Sequence, residues 1–489
     1  MGFLIGALVA TLSKRGSNAV PRATIMLQEL IHRGHQSHEI ITPEAAITAG
    51  SFEELLKRTD TYSSVAIGHN ASSCKKGESD LNDLPGFLEG HVFNESATSY
   101  FARIKTVWRQ SPEKIAKRLL SCLDGDYVFA IASTGRIVVG RDPLGTKPLY
   151  YGESQEHCAV ASERKAIWKI GIQEVQSFPP GNIATITQTG FCFTPVRIIR
   201  LRPPRRIKMA AAVSRLRVLL EESTRERLRD VKKAGIAFSG GLDSSLVARL
   251  AQESGSAVHL ISVSIAGGHR SSHAAEGAKV LGLPITVQEY GIRDVENTLP
   301  KVLWLIEEPN LMKAGIAIPL FWSAQLASGL GCSVLLAGQG ADEMFGGYHR
   351  YLTVYAKRGI GGVAESLFCD TMRSHETNLQ RDEPLCAYHD IELRLPFIDT
   401  KLVRYALSLP VNLKIESATD PLRKRILRQL AKNLNIPASI AERPKKAIQF
   451  ETGVDKTLRD LAKSKGLTPH EYVVEVYKTV HLRFKSDLI

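Results

Sequence analysis

The chain has 489 residues, of which 44% are hydrophobic and 23% charged. This excludes a disordered or fibrous protein and leaves room for two or three domains with sizeable cores. The formal net charge of +13 invites an anionic partner, but the basic residues are dispersed apart from Arg197–Lys208; no aromatics interleave with that stretch, so it reads as a solvated linker and nucleic acid is not the expected partner.

In chain order, the short apolar start Met1–Ala10 predicts a buried first strand. It lacks the charged leader and cleavage site of a signal peptide and is far below membrane-spanning length. Gly6 stands where a myristoylation signal needs Ser or Thr. No membrane association is expected. A helix is predicted over 21–33, from the spacing of Ile25, Met26, Leu30 and Ile31 behind Pro21. Apolar or alternating runs then predict strands at 65–69, 127–132, 136–140, 149–151, 158–162 and 182–186. Ser133-Thr134-Gly135, Asp142-Pro143-Leu144-Gly145 and Pro179-Pro180-Gly181 supply turns between them. Residues 1–200 are thus expected to form an α+β domain of stacked, mostly antiparallel sheets.

The texture changes near 200–210, where Arg202-Pro203-Pro204-Arg205-Arg206 reads as a linker. A long helix is predicted over 210–233, then strands at 234–238, 258–265 and 285–289 alternating with helices at 244–253 and 273–281. Two more helices should precede a strand at 333–336. Such alternation predicts an α/β domain with a parallel sheet over 210–455, mainly helical from about 350. Residues 456–489 are read as a C-terminal extension with no assigned role. Seven cysteines (Cys74, Cys122, Cys158, Cys192, Cys332, Cys369, Cys386) are odd in number and widely spaced. That pattern argues against zinc and for free, mostly buried thiols in a reducing cytoplasm.

Two segments carry chemistry. The strand at 234–238 runs directly into Ser239-Gly240-Gly241-Leu242-Asp243-Ser244-Ser245 and a helix. Glycines let backbone approach a phosphate, while serine hydroxyls and N–H groups at the helix start donate to its oxygens. Asp243 can hold Mg²⁺ against the phosphates. No lysine follows the glycines, so this is not a G-x-x-x-x-G-K-[ST] loop. The second segment, Leu336–Tyr348, follows the strand at 333–336 and so lies at a strand's C-terminal edge, where open α/β sheets place ligands. Its Asp342 is a natural second Mg²⁺ ligand.

The form S-G-G-x-D-S-S resembles the pyrophosphate-binding loop of ATP-pyrophosphatases. Together with Leu336–Tyr348, Glu392–Asp399 (E-x-R-x-P-F-x-D) and Arg443-Pro444-Lys445-Lys446 (R-x-K), it resembles the asparagine synthetase family. In the front half, His32-Arg33-Gly34, Gly140–Tyr151, Ala161-Ser162-Glu163 and Phe178–Gly181 resemble that family's class II glutamine amidotransferase domain. The resemblance implies an Ntn-hydrolase-like front domain and an ATP-pyrophosphatase-type second domain using ATP and Mg²⁺. It places Ala237, Ile265, Ala337 and Gly338 on ATP, and Ser239, Gly240, Gly241, Asp243, Ser244 and Ser245 on its phosphates. Asp243 and Asp342 would hold the metal, and Lys445, or Lys446, the adenylate and leaving pyrophosphate. Aspartate and ammonia would be the substrates, giving asparagine, AMP and pyrophosphate. A separate glutaminase and a homodimer are compatible partners.

The resemblance breaks at informative places. The family's glutaminase nucleophile is an N-terminal cysteine, and here the second residue is Gly2. Its substrate-holding arginine falls at Ala71, its asparagine in N-G-E at Glu89, and the aspartate expected to hold the glutamine amine near Ser99. These changes predict no glutamine hydrolysis, with the domain fold retained. In the synthetase half Gln339 replaces a Glu implicated in adenylate formation and in deprotonating ammonia. Gln keeps the hydrogen-bonding shape but cannot act as a base. Alternatives therefore stay open: a β-lactam synthetase-like ligase with another acceptor, an RNA-modifying enzyme with the same loop, or a non-catalytic ATP-binding regulator.

Overall fold

The computed structural model describes residues 5–72, 85–93, 111–229, 231–267, 270–444 and 448–486. The chain divides into two compact units that part between Ile199 and Arg200.

The first unit contains strands β1 (Gly6–Ser13), β2 (Ser37–Ile41), β3 (Ala46–Ala49), β4 (Val65–Ala71), β5 (Gly86–Val92), β6 (Gly125–Ser133), β7 (Arg136–Arg141), β8 (Tyr150–Glu153), β9 (His157–Ala161), β10 (Val175–Ser177), β11 (Asn182–Thr187) and β12 (Gly190–Pro195). They form a seven-stranded sheet in the order β10-β8-β9-β1-β4-β2-β3 and a five-stranded sheet in the order β12-β11-β7-β6-β5. The strand pairs are antiparallel, with Ala10 opposite Ile67 on one side and Val160 on the other.

Strand β1 is buried along its length because both of its faces are covered. Leu8, Ala10 and Leu12 meet Val128, Ala130 and Val139 of the other sheet. Ala7 and Val9 meet Val20, Ala23 and Leu27 of the helix Val20–Glu29. On the outer face of the second sheet, the helix Pro112–Cys122 packs Ile115, Leu119 and Leu120 against Tyr127, Phe129 and Val138. The result is a helix–sheet–sheet–helix stack of antiparallel sheets, the architecture the sequence predicts. The helix expected over 21–33 ends at Glu29 and a turn of 3₁₀ helix, Ile31–Arg33, follows, with Arg33 buried.

The second unit holds β13 (Lys233–Ala237), β14 (Ala257–Ile265), β15 (Ile285–Tyr290), β16 (Val334–Leu336) and β17 (Glu392–Arg394) in one sheet. The order is β15-β14-β13-β16-β17 and every pair is parallel. From β13 the chain works outward through β14 and β15, then returns to the other side of β13 with β16. That reversal is a topological switch point, and the loops after β13 and β16 leave the sheet side by side.

The helix expected over 210–233 spans Met209–Leu228. Arg229 then turns to extended backbone (ψ 130°), freeing Lys233 to begin β13. Strand β17 falls in a stretch read as helical. It is held by the buried pair Arg394 Nη2–Glu392 Oε2 at 2.6 Å, and Arg394 Nη1 donates to Arg227 O at 2.6 Å. The E-x-R motif is therefore a brace between the sheet and the first helix of the unit. The helices Val454–Ser464 and Pro469–Ser486 contribute Leu458, Leu461, Tyr472 and Val473 to the same core as Leu299, Ile318 and Trp322. The stretch read as an extension is thus continuous with the unit's core. Among the described cysteines, Cys158, Cys332 and Cys386 are buried while Cys122, Cys192 and Cys369 are exposed, so half rather than most are buried. No helix among the described residues is long and apolar enough to cross a membrane.

Candidate active site

The apolar strand β13 ends at Ala237, and Gly241 caps the helix Leu242–Glu253. Between them, Ser239 and Ser244 tie the loop to itself. Ser239 N donates to Ser244 Oγ at 3.3 Å, and Gly241 N to Ser239 Oγ at 3.2 Å. The loop curls around the helix N-terminus, whose free N–H groups and dipole favour an anion. Ser245 is fully buried, and its hydroxyl has no hydrogen-bond partner among the described residues.

The loop after β16 lies against this one. A Cβ at Gly338 would sit 2.9 Å from Asp243 Cβ, so only glycine allows the two loops to touch. The next helix, Ala341–Phe345, carries Asp342 in its first turn. Asp243 and Asp342, from separate strand ends, converge on one ammonium group. Lys424 Nζ is 2.6 Å from Asp243 Oδ2 and 2.6 Å from Asp342 Oδ1. Behind Asp342, Glu343 accepts from Tyr348 Oη at 2.5 Å and Asn378 Nδ2 at 2.8 Å. Burial, then the neighbouring Asp342, pushes the Glu343 carboxyl up from its ordinary range.

Gln339 Nε2 donates to Asp382 Oδ2 at 3.0 Å. Arg381 grips the same carboxylate with Nε on Oδ1 at 2.6 Å and Nη2 on Oδ2 at 2.9 Å. Gln380, Arg381, Asp382 and Glu383 are all buried, directly after a turn of π-helix, His375–Leu379. Such turns recur at functional sites.

Lys445 and Lys446 lie outside the described residues, but the chain on either side of them is fixed. Arg443 Nη1 donates to Gly240 O at 3.1 Å, and Ile265 N donates to Thr452 O at 2.8 Å. The flanking residues thus meet the first loop on one side and the end of β14 on the other, two of the places the resemblance assigns to ATP. Ala237 and Ile265 end their strands, and Ala337 N is 3.4 Å from Arg394 O. Lys424 and Asp382 are the site residues that the sequence did not single out.

The first unit buries a cluster of its own, in which Glu89, a departure from the resemblance, joins His32, Arg33 and Glu163, which carry it. Arg33 Nε donates to Gly6 O at 2.9 Å and Nη1 to Glu163 Oε1 at 3.0 Å, and Nη2 lies 3.7 Å from Glu89 Oε1. Glu163 also meets His32 Nε2 at 3.1 Å and Lys165 Nζ at 2.6 Å. Although burial pushes the Glu163 carboxyl up, Lys165, His32 and Arg33 together hold it well below the usual carboxylate range. Burial lowers the His32 imidazole. Gly2 and Ser99 lie outside the described residues, and Ala71 ends β4.

Comparison with known proteins agrees with this geometry. The asparagine synthase family model matches residues 215–362 and 355–477, and a glutamine amidotransferase domain model matches 107–195. A Methanocaldococcus jannaschii protein with the provisional name asparagine synthetase 1 (glutamine-hydrolyzing) is 28% identical over 91% of this chain and 93% of its own length. Asparagine synthetase 3 (glutamine-hydrolyzing) of Arabidopsis thaliana is 26% identical over 70% of this chain, which spans only 61% of the plant protein. Among solved structures, the glutamine phosphoribosylpyrophosphate amidotransferase of B. subtilis, complexed with ADP and GMP, is 17% identical and covers 57% of this chain and 65% of its own, with a TM-score of 0.35. That last likeness is too loose to bear on function.

Proposed function

The chain belongs to the asparagine synthase family, and from that premise we propose that its second unit binds Mg·ATP and adenylates a carboxylate. The acceptor is the β-carboxylate of aspartate and the nitrogen donor is ammonia. The observation that carries the reading is the convergence of Asp243 and Asp342 from two strand-end loops at the switch point of the sheet.

The residues fit the ion. Two hard carboxylate donors meet at one point, and Asp243 Oδ1 is buried with no hydrogen-bond partner among the described residues. Asp243 and Asp342 would hold Mg²⁺, which when bound supplies charge neutralisation for the phosphates.

The remaining work belongs to the chain. Ser239, Gly240, Gly241 and Ser244 cradle the β- and γ-phosphates at the helix N-terminus. Ala237, Ile265, Ala337 and Gly338 line the nucleotide from the strand ends. A carboxylate oxygen of the acceptor bonds to the α-phosphorus while the α–β bridging P–O bond breaks, and pyrophosphate leaves. Lys445 stabilises charge on that leaving group. Ammonia then bonds to the acyl carbon, the acyl–oxygen bond to AMP breaks, and the nitrogen loses a proton to water. With Nε2 committed to Asp382, Gln339 has Oε1 left to orient the amine as an acceptor. It cannot take the proton.

The first unit hydrolyses no glutamine. Nitrogen reaches the second unit as ammonia from solution or from a separate glutaminase.

The test is pyrophosphate release by the full chain with Mg·ATP and aspartate, supplied with ammonium or glutamine, with asparagine followed by mass spectrometry. Asparagine from ammonium alone supports the reading. Asparagine from glutamine overturns the part concerning the first unit. Pyrophosphate without asparagine moves the reading to another acceptor on the same scaffold.

A further inference from the structure

We propose that Lys424 is a built-in counter-ion that closes the Asp243–Asp342 pair to free divalent metal and opens it only to metal arriving with nucleotide. This rests on the reading of the two aspartates as the metal site.

The placement of Lys424 is imposed by its surroundings. Arg423 and Lys424 both have left-handed backbone, at φ 51° and 50°. Side chains disfavour that region, and non-glycine residues held there concentrate at functional sites. Several groups hold the turn. Asp420 Oδ1 accepts from Leu422 N at 3.0 Å and Arg423 N at 2.9 Å. Arg423 Nε donates to Gly347 O at 3.1 Å. Arg428 donates from Nε to Arg423 O at 2.8 Å and from Nη1 to Ala441 O at 2.5 Å. It also reaches Arg443 O with Nη1 at 3.2 Å, linking the turn to the segment that enters Lys445. A Cβ at Gly347 would fall 1.8 Å from Asp342 Oδ1 and 2.3 Å from Lys424 Cε, so this close approach needs glycine.

Two carboxylates converge on the Lys424 ammonium, whose side chain is only 3% exposed, and the Arg428 guanidinium interacts with Asp243 as well. A pair that was only structural would have no reason to leave Asp243 Oδ1 buried and unpartnered. Free Mg²⁺ sheds water reluctantly. To reach these oxygens it must settle beside a buried like charge that already occupies them. Metal carried by a triphosphate brings negative charge that offsets this repulsion. An ammonium has three N–H donors, and the hydrogen bond to Asp243 Oδ2 uses one. Another can turn to a phosphate oxygen.

The test uses Mn²⁺ as probe, its free fraction read by electron paramagnetic resonance on the full chain without nucleotide. The wild type should leave Mn²⁺ free at concentrations where Lys424→Met binds one ion at least about tenfold more tightly. Adding Asp342→Asn to that variant should abolish the binding. Mn²⁺ should also raise the melting temperature of Lys424→Met and not of the wild type. Lys424→Arg, which keeps the charge, should exclude the ion as the wild type does. Wild-type binding of free Mn²⁺ that Asp342→Asn removes would overturn the proposal, and that arm needs no lysine variant to fold. Nucleotide binding is followed separately with a fluorescent ATP analogue. A wild type that binds no Mg·ATP would sink the nucleotide reading, while the free-metal comparison still decides what Lys424 holds.

Discussion

Each unit buries carboxylates beside basic side chains, and the two close their charge differently. In the first unit Glu89 and Glu163 face Arg33 and Lys165, with His32 as a further donor. Two negative charges meet two positive ones, and the cluster is complete without a ligand. In the second, Asp243 and Asp342 converge on Lys424, and Asp243 Oδ1 stays buried with no hydrogen-bond partner among the described residues. That site lies next to a helix N-terminus that favours anions. It suits a metal cation and a polyphosphate together. A buried cluster that satisfies itself is scaffold, and one that does not is a site in want of an occupant.

The sharpest way to break this contrast is Asp342→Asn. Pyrophosphate release with aspartate and ammonium should fall by about 10²–10³-fold or more, the scale for removing one preorganised electrostatic group. Circular dichroism should show the fold unchanged. Activity within a few-fold of the wild type would mean that the convergence of the two aspartates is structural.

The complementary change belongs in the first unit. Glu163→Gln leaves Arg33 and Lys165 buried without their shared partner. Breaking such a pair costs about 3–5 kcal/mol. Urea unfolding should show the transition of the first unit moving to lower denaturant. Pyrophosphate release by the second unit should persist below that transition. If Glu163→Gln unfolds with the wild type, the cluster is not the completed brace described above.

How much of this contrast could be read from the sequence depends on where the polar residues lie. The loops 239–245 and 336–348 were legible because glycines and acidic residues follow short apolar strands. The sheet order was not, since nothing local says that β16 returns beside β13. Lys424 was hidden in the basic run Arg423–Arg428, which patterning reads as solvated surface because charged residues are seldom fully buried. Asp382 was hidden the same way in Gln380–Glu383. Strands β2 and β5 went unpredicted because His38 and Glu89 interrupt the apolar alternation, yet both are 1% exposed. The residues that escaped the sequence reading are buried charges, whose position is set by partners far along the chain.

The contrast sharpens further with pH. His69 is fully buried in β4, stacked on Phe87 at 5.2 Å, and its Nε2 has no hydrogen-bond partner among the described residues. Burial lowers its imidazole from 6.5 to about 4. The unfolded chain takes up a proton below about 6.5 and the folded unit only below about 4, so stability is complete at neutral pH and is lost as pH falls between those values. The loss should reach about 3 kcal/mol at most. Glu163, held low by its cations, adds a further loss only at more acid pH, below the unfolded carboxyl range. His69→Phe should flatten the dependence of unfolding free energy on pH between 7 and 4.5. An unchanged slope would assign it to other groups.

The smallest expected effect is the one that most directly tests whether the first unit is closed. Gly2→Cys restores a thiol at the family's nucleophile position, and glutamate release from glutamine should stay at background. A nucleophile is only one part of amide hydrolysis. The substrate must be clamped, and developing negative charge on the carbonyl oxygen must meet hydrogen-bond donors. Ala71 offers no clamp and Ser99 no carboxylate for the glutamine amine. Glu89 puts a buried acceptor where the resemblance expects an asparagine, and Arg33 beside it is already spread over Gly6 O, Glu163 and Glu89. A carboxylate there opposes an oxyanion instead of stabilising it. Adding Glu89→Asn and Ala71→Arg to Gly2→Cys restores the missing parts one at a time, and hydrolysis should rise above background only as they accumulate. Glutamate release by Gly2→Cys alone would show that the charges around Arg33 leave room for a substrate, and the distinction between a closed and an open cluster would fail for the first unit.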